Sequence, residues 1–452
     1  MTPSYIARKR RYNLWAEYAA NVSAGLQGLT DSVLNPFIML STIAYLLGGS
    51  TYEIAAFAVV ASLCWSLGQY VVQPLVYLAG NTVPVTAGGL VLRIGALFLI
   101  GFIGYRIGDL DPNNAVAGLI TCYALYQAGS VASVLSTNHH VAAAHAPAKR
   151  SRIFHVRAVV AAATATAAGL VAQSVFGSSS LSLNRTITSL LLFAAASGIG
   201  SAWFTIQIPR QGRGNTGGMT SRGSERIVPL LRLPSVRRYL GYRIVMGFST
   251  LADPFIVVYG LQRIGFGLRF VGLSLCIFAL VQLLGTIALP GWASSRSGIR
   301  MLQLAAFLRL MFLILAISIP ALATSSFYAD RFGNDQVAAW LFVGAFSLAG
   351  VSASIHNTVN QRYLVQIAGS AGSSTHPRAA ISLANGILAI VALAPFCGAV
   401  LIDRFSLETA ITTAGSIAFV AFIASALLVE SRSGVSILGS QASTLRRRRA
   451  AT

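Results

Sequence analysis

The chain has 452 residues and a formal net charge of +21, because 33 Lys and Arg residues outnumber 12 Asp and Glu residues. Only 10% of the residues are charged and 55% are hydrophobic, whereas about 25% of a typical soluble domain is charged. This composition excludes a soluble globular fold, which needs a charged surface, and a disordered chain, which is polar. It suits a chain embedded in a lipid bilayer.

The first 20 residues carry a run of four basic residues at 8–11. They contain no apolar core that ends in a small-residue cleavage site of the kind that signal peptides have. We interpret 1–20 as a cytoplasmic N-terminal segment that forms a short helix at the membrane interface.

Twelve apolar runs follow, each long enough to cross the hydrocarbon core as a helix of about 20 residues. Turn-forming Gly, Asn, Asp and Pro residues separate several of them. The runs lie near 21–47, 53–78, 85–105, 114–137, 156–176, 186–208, 239–262, 270–289, 299–319, 336–358, 380–402 and 409–429.

Five segments follow from these runs. The N-terminal segment 1–20 precedes a six-helix bundle over 21–208, and a Gly-, Ser- and Arg-rich cytoplasmic linker covers 209–238. A second six-helix bundle covers 239–430, and a basic cytoplasmic tail covers 431–452.

The basic residues orient the chain. Both termini are predicted to be cytoplasmic, because this topology places 24 Lys and Arg residues in cytoplasmic segments and 6 in external loops. We therefore expect a multi-pass protein of the cytoplasmic membrane. Three arginines remain inside or at the edge of spans: Arg93, Arg243 and Arg309.

An internal repeat relates the two bundles. Asn-Pro-Phe-Ile at 35–38 matches Asp-Pro-Phe-Ile at 253–256, at an offset of 218 residues. Leu-Arg at 92–93 matches Leu-Arg at 308–309 at an offset of 216, and further matches recur at an offset of 221. Repeats with an even number of spans are parallel and related by an axis along the membrane normal. The predicted fold is an all-α integral membrane protein of twelve helices in two parallel six-helix repeats.

This plan resembles the major facilitator superfamily, whose members have two six-span halves joined by a cytoplasmic loop. The family carries G-x-x-x-D-R-x-G-x-R between spans 2 and 3, often repeated between spans 8 and 9. Gly291, Arg296, Gly298 and Arg300 match this element, whereas Ser295 stands at its Asp position. The loop between spans 2 and 3 has lost its basic residues. The resemblance implies that these four residues belong to a gate on the cytoplasmic side, or are structural, and the two departures put that gate in doubt.

Two acidic residues, Asp31 and Asp253, lie well inside spans. A carboxylate at that depth costs several kcal/mol, so it is retained for a function or a partner. Each lies near a helix-breaking proline, and the resemblance implies that spans 1 and 7 line the central path. Asp31, Asp253 and Asn35 are therefore candidates for proton coupling or substrate binding. The alternative is that each Asp bonds to its Pro-loosened turn or pairs with an Arg.

Arginines and neutral polar side chains complete the candidate site. Arg93 and Arg309 are repeat mates and either form a gate or anchor their helices structurally. The neutral residues would give a central cavity of low charge, or would hold helices together. They are Gln27, Gln69, Tyr126, Gln127 and Asn385.

The sequence and its resemblance favour a secondary transporter that works by alternating access. No phosphate-binding loop is present, so a proton gradient acting on Asp31 is the simplest energy source. The expected solute is small and neutral, amphipathic or weakly cationic, and family analogy favours efflux, because 30–36 resembles an element of proton-linked exporters. The alternatives are a non-transporting receptor or lipid-binding protein of the same plan and, less favoured, an integral-membrane enzyme.

The remaining expectations concern partners. We expect no enzyme activity, no cofactor and no metal, and a monomer that binds a solute, protons and, at its basic cytoplasmic segments, anionic lipid. Nucleic-acid binding is not expected, since the arginines at 446–449 have no interleaved aromatic residues.

Overall fold

The computed structural model describes residues 3–79, 82–144, 147–208, 230–295, 297–332, 335–369 and 377–428, and these are nearly all helical. The first half of the chain contains seven helices. They are α1 (Pro3–Val33), α2 (Met39–Leu46), α3 (Thr51–Leu78), α4 (Thr82–Arg106), α5 (Pro112–Ala144), α6 (Pro147–Phe176) and α7 (Leu183–Ile206).

The described residues of the second half form nine helices, because two of its spans are broken and one short helix is added. They are α8 (Pro234–Phe248), α9 (Asp253–Arg263), α10 (Arg269–Ser295), α11 (Gly298–Ala323), α12 (Ser326–Phe332), α13 (Asp335–Gly369), α14 (Pro377–Val391), α15 (Ala394–Arg404) and α16 (Leu407–Ala426).

Eleven stretches of the described residues are long and apolar enough to cross a bilayer. They correspond to predicted spans 2 to 12. The first predicted span is built by α1 and α2, and it is missing from the eleven because α1 carries polar residues such as Glu17, Gln27 and Asp31 and then breaks. The chain is a multi-pass integral membrane protein, and a twelfth crossing by α1 and α2 stays a prediction.

Several helices extend beyond the predicted segment boundaries. The predicted interfacial segment 1–20 is continuous with the first span, since α1 runs from Pro3 to Val33. The last residues of the predicted linker belong to α8, which begins at Pro234, and 209–229 lie outside the described residues. Basic residues such as Arg237 are tolerated in a helix beyond the hydrocarbon core, so the helices extend past their apolar runs.

Helix packing follows the predicted repeat. In the first half α4 packs on α5 and α7, α3 packs on α5, and α1 packs on α6 and α7. In the second half α11 packs on α13 and α16, α10 packs on α13, and α8 packs on α14 and α16. These are the same pairings when each span is replaced by the span six places later, so the two halves are two copies of one bundle.

The contacts between the halves follow the same correspondence between each span and the span six places later. Helix α6 packs on α10, and in the equivalent position α3 packs on α14 and α15. The short helices α2 and α9, which complete the broken spans 1 and 7, contact each other. An approximate two-fold axis therefore passes between α2 and α9.

Buried apolar residues show which end of the bundle is closed. We call the end where α7 stops and α8 starts the linker end. At the other end one buried cluster joins both halves and includes Leu34, Phe57, Phe255 and Phe270. At the linker end the buried clusters of the described residues each stay within one half. The two bundles are thus held together by a shared core at the end opposite the linker. Toward the linker end α3 still packs on α14, and from the separate buried clusters there we infer a cleft between the halves.

Glycines make the seam between α6 and α10 unusually close. A Cβ on Gly272 would collide with the backbone of Gln173 in the other half, and a Cβ on Gly169 would lie 2.5 Å from the Cα of Cys276. Backbones can approach this closely only where both helices present small residues.

Replacing Gly272 by Ala is expected to force this seam apart and to shift the protein toward a state open at the end opposite the linker. The measurement is the rate at which a membrane-impermeant thiol reagent labels Cys276, which should rise. The control is Gly344→Ala, where an added Cβ meets nothing within 4 Å and where Ala stabilises a helix by about 0.5–1 kcal/mol. Equal labelling of both variants would contradict the packing described for this seam.

Candidate functional site

The break in span 1 is made by Asn35 and Pro36. The Asn35 side-chain oxygen accepts hydrogen bonds from the backbone N–H groups of Phe37 and Ile38, at 2.9 and 3.0 Å. Both residues precede α2, which begins at Met39, so the Asn35 side chain holds the turn between the two helices. The Asn35 carbonyl accepts from the first N–H groups of α2, those of Met39 and Leu40. The predicted coupling or substrate role of Asn35 is untested, and its oxygen already has this structural role.

Asp31 lies on the last turn of α1, just before that break, and its side chain is exposed. The Tyr126 hydroxyl of α5 donates a hydrogen bond to Asp31 Oδ1, and Gln27, one turn earlier on α1, is a second hydrogen-bond neighbour. Because Asp31 is exposed although it lies deep in the bundle, it borders the cleft between the halves. Three predicted residues, Gln27, Asp31 and Tyr126, therefore come together.

Arg93 of α4 lies over the ring of Tyr126. Its guanidinium carbon lies 5.6 Å from the centroid of the Tyr126 ring, and the residue is only 1% exposed. Close packing of α4 on α5 sets this position, because a Cβ on Gly129 would lie 2.6 Å from the Arg93 backbone nitrogen. Among the described residues the Nε and Nη2 atoms of Arg93 have no hydrogen-bond partner.

A second polar network lies on the next turn of α5. The Trp65 indole N–H of α3 donates to Gln127 Oε1 at 3.1 Å, and the Gln127 amide donates to the Tyr123 hydroxyl at 2.6 Å. Trp65 is 41% exposed, whereas Tyr123 is 1% exposed. Sequence reasoning missed Trp65 and Tyr123. The one available signal was spacing, since Tyr123 and Gln127 are four residues apart on one helix face.

In the second half, Arg309 of α11 forms an ion pair with Asp253, the first residue of α9. Its Nη2 also donates to the Ser249 carbonyl at 2.8 Å, and its Nε lies 3.4 Å from Ser249 Oγ. The side chains are 7% and 20% exposed for Arg309 and Asp253. The pairing alternative for Asp253 is the one found, and it ties span 9 to the break in span 7.

Each half has one intramembrane carboxylate, and the two carboxylates occupy repeat positions that differ by one helical turn. At the repeat offset of 218, Asp31 corresponds to Ser249 and Asn35 corresponds to Asp253. Arg309 touches both of its half's positions. The repeat has therefore kept the arginine of spans 3 and 9 while the carboxylate moved by four residues. As a result the arginine pairs directly with the carboxylate in the second half, whereas in the first half Tyr126 contacts both charged side chains.

The other predicted residues lie apart from these clusters. Asn385 of α14 is 8% exposed and its amide nitrogen has no hydrogen-bond partner among the described residues. Gly291 is exposed on α10, Gly298 begins α11, and Arg300 is exposed two residues later. The Gln69 side chain and Arg296 lie outside the described part of the chain. The gate roles of these residues stay predictions.

Comparison with known proteins gives a clear result for structure only. No protein-family model matches the sequence, and no curated protein matches it. Among solved structures, a D-xylose–proton symporter has a TM-score of 0.65 at 14% identity, with 94% of this chain and 99% of that chain covered. The nucleoside transporter NupG has a TM-score of 0.65 at 10% identity, with 91% and 98% covered.

A third similar structure is a bacterial homologue of the iron transporter ferroportin in an inward-facing state. Its TM-score is 0.65 at 14% identity, with 92% of this chain and 98% of that chain covered. All three are transporters and are covered nearly end to end. The chain therefore has the fold of the major facilitator superfamily, which confirms at the level of fold the resemblance predicted from its repeats and topology.

Proposed function

We propose that the protein is a secondary transporter that moves a small solute across the cytoplasmic membrane by alternating access. The observation that carries this proposal is the pair of repeated bundles that share a core at one end and separate at the other. Rocking two such bundles about the seam would close the linker end and open the opposite end. The transporters with the same fold support this reading.

Proton coupling is the second part of the proposal. Asp31 borders the cleft and bonds to Tyr126, whereas Asp253 is held by Arg309. Of the two acids inside spans, Asp31 is therefore the one whose proton can exchange with water in the cleft. The symporter with a similar structure is coupled to protons, as its name states.

Solute class and direction complete the proposal. We expect a neutral, amphipathic or weakly cationic solute and efflux, with both termini in the cytoplasm. The linker end is then the cytoplasmic end and the described conformation is inward-facing. The basic segments at that end would bind anionic lipid. The half-buried amide of Gln27, beside Asp31, suits a neutral solute with hydrogen-bonding groups.

Purified protein in liposomes that enclose a pH-sensitive dye tests the proposal. Nucleosides, pentoses and short peptides are added one by one under an imposed pH gradient. At least one solute is expected to change the internal pH faster than in protein-free liposomes. If a solute raises the melting temperature of the protein but neither the solute nor protons cross the membrane, the transport proposal fails. That result would favour a non-transporting receptor with the transporter fold.

A further inference from the structure

A second group of buried polar residues lies in the second bundle, nearer to the linker end than Asp253. Arg243 of α8 and His356 of α13 are both half-buried. Arg243 lies close enough to His356 for their charges to interact, and the ring centroids of Tyr242 and His356 are 6.4 Å apart. The Nε of Arg243 and the Nδ1 of His356 are buried without a hydrogen-bond partner among the described residues.

The two neighbouring tyrosines fix the position of α8, but their hydroxyl groups bond to residues other than Arg243 and His356. The Tyr239 hydroxyl donates to the carbonyl and side-chain oxygens of Asn360, each at 3.1 Å. The Tyr242 hydroxyl donates to the Leu302 carbonyl at 3.2 Å. Both tyrosines are 1% exposed, so α8 is fixed against α11 and α13. Arg243 and His356 are thus presented by a rigid scaffold, and one nitrogen of each, Nε and Nδ1, has no hydrogen-bond partner among the described residues.

The charge of Arg243 has no counterion in the described part of the chain. The four ion pairs found there join other residues. A buried cation without a partner is costly, and an arginine offers a planar fork that suits a phosphate or a carboxylate. Arg243 lies ten residues before Asp253, or about 15 Å along a helix, in the half of the bundle where the cleft opens.

Arg243 and His356 are not part of the sequence pattern that the two bundles share. At the repeat offsets of 218 and 221, Arg243 corresponds to Gly25 and His356 corresponds to Leu135. Gly25 packs against Val160 and Thr164, so the first bundle uses that position for close helix packing. A bundle of this kind therefore folds without the arginine and the histidine, which at these repeat positions are present in the second bundle and not in the first.

We propose that Arg243 and His356 form an anion site that binds one phosphate or carboxylate group, carried by a small molecule or by a lipid headgroup. The Arg243 guanidinium would bind two oxygens of the anion, and His356 would donate from Nδ1. This site is separate from the Asp31 cluster and does not depend on the transport proposal.

Equilibrium binding of inorganic phosphate to the full-length protein tests the site. The protein is held in nanodiscs of digalactosyldiacylglycerol, an uncharged lipid without a phosphate group, at constant ionic strength, with chloride as the balancing anion. Arg243→Gln is expected to raise the Kd about tenfold or more, Arg243→Lys less, and His356→Ala by a smaller factor. Arg237→Gln, at an exposed arginine of the same helix, should leave the Kd unchanged.

Two further results decide the proposal and the source of the anion. If the wild-type protein binds no phosphate, or if Arg243→Gln and Arg237→Gln weaken binding equally, the site does not exist. Repeating the titration with phosphatidylglycerol in the nanodisc separates the sources. A headgroup that occupies the site would weaken phosphate binding by wild type but not by Arg243→Gln, whereas an unchanged wild-type Kd supports a free anion. Equal melting temperatures of the variants establish that they are folded.

Discussion

Replacing Asp31 by Asn is expected to reduce solute-driven proton movement to the level of protein-free liposomes. Asn keeps the size of the side chain and can still accept the hydrogen bond from Tyr126, but it cannot bind and release a proton. The carboxylate borders the cleft at the break of span 1 and is not held by a direct ion pair. Solute binding, measured by stabilisation of the purified protein, should remain.

Two variants accompany this experiment. Asp403→Asn removes an exposed acid at the end of α15 and should leave proton movement unchanged. Tyr126→Phe removes the hydroxyl that bonds to Asp31 and should move the pH dependence of transport while leaving transport measurable. If Asp31→Asn transports solute with the wild-type pH dependence, Asp31 is structural and the coupling proposal is wrong.

Replacing Asp253 by Asn is expected to destabilise the second bundle far more than most substitutions do. The change leaves the guanidinium of Arg309 buried without its carboxylate, and removal of one partner of a buried ion pair costs about 3–5 kcal/mol. Because the Asp253 side chain is 20% exposed, the lower end of that range applies. Thermal unfolding of the purified protein measures the loss.

Two rescues distinguish loss of charge balance from loss of shape. The double variant Asp253→Asn, Arg309→Gln removes both charges and should recover much of the stability. The double variant Asp253→Asn, Ser249→Asp restores a carboxylate one turn earlier, at the place that Asp31 holds in the first half, and Arg309 already touches Ser249. If neither double variant is more stable than Asp253→Asn, the ion pair is not what stabilises this region.

The architecture was predictable because membrane spans and internal repeats can be recognised from the sequence alone. Apolar runs located spans 2 to 12, and the matches at 35–38 and 253–256 placed the two helix breaks at equivalent positions. Helix ends were less predictable, since a helix can continue beyond the bilayer at little cost, as at Pro147 and Pro234. The break between α14 and α15 was missed, although Pro395 lacks the N–H that a continuous helix needs there.

The candidate site was predictable only in part. Intramembrane charge singled out Asp31, Asp253, Arg93 and Arg309, because charges are rare at that depth. Their partners depend on which helix faces meet, so the pairing of Arg309 with Asp253 and the contacts of Tyr126 with Asp31 and Arg93 required the structure.

Neutral and basic residues carried weaker signals. The network of Trp65, Gln127 and Tyr123 joins two helices that are 62 residues apart in sequence. Arg243 was counted only as a charge at the edge of a span, and its approach to His356 depends on the packing of α8 against α13. Comparing the two repeats position by position would have revealed that both residues are absent from the first half.

The most direct test of the central claim is a pair of distances measured by electron paramagnetic resonance in liposomes. The four native cysteines are replaced, and spin labels are placed at exposed positions in opposite halves. Ser151 and Arg300 are labelled at the linker end, and Asp109 and Arg331 at the opposite end. Between acidic and alkaline pH, and on addition of a solute that is transported, the two distances are expected to change in opposite directions. Distances that stay fixed under every condition, or that change in the same direction, would contradict two bundles that rock about a shared seam.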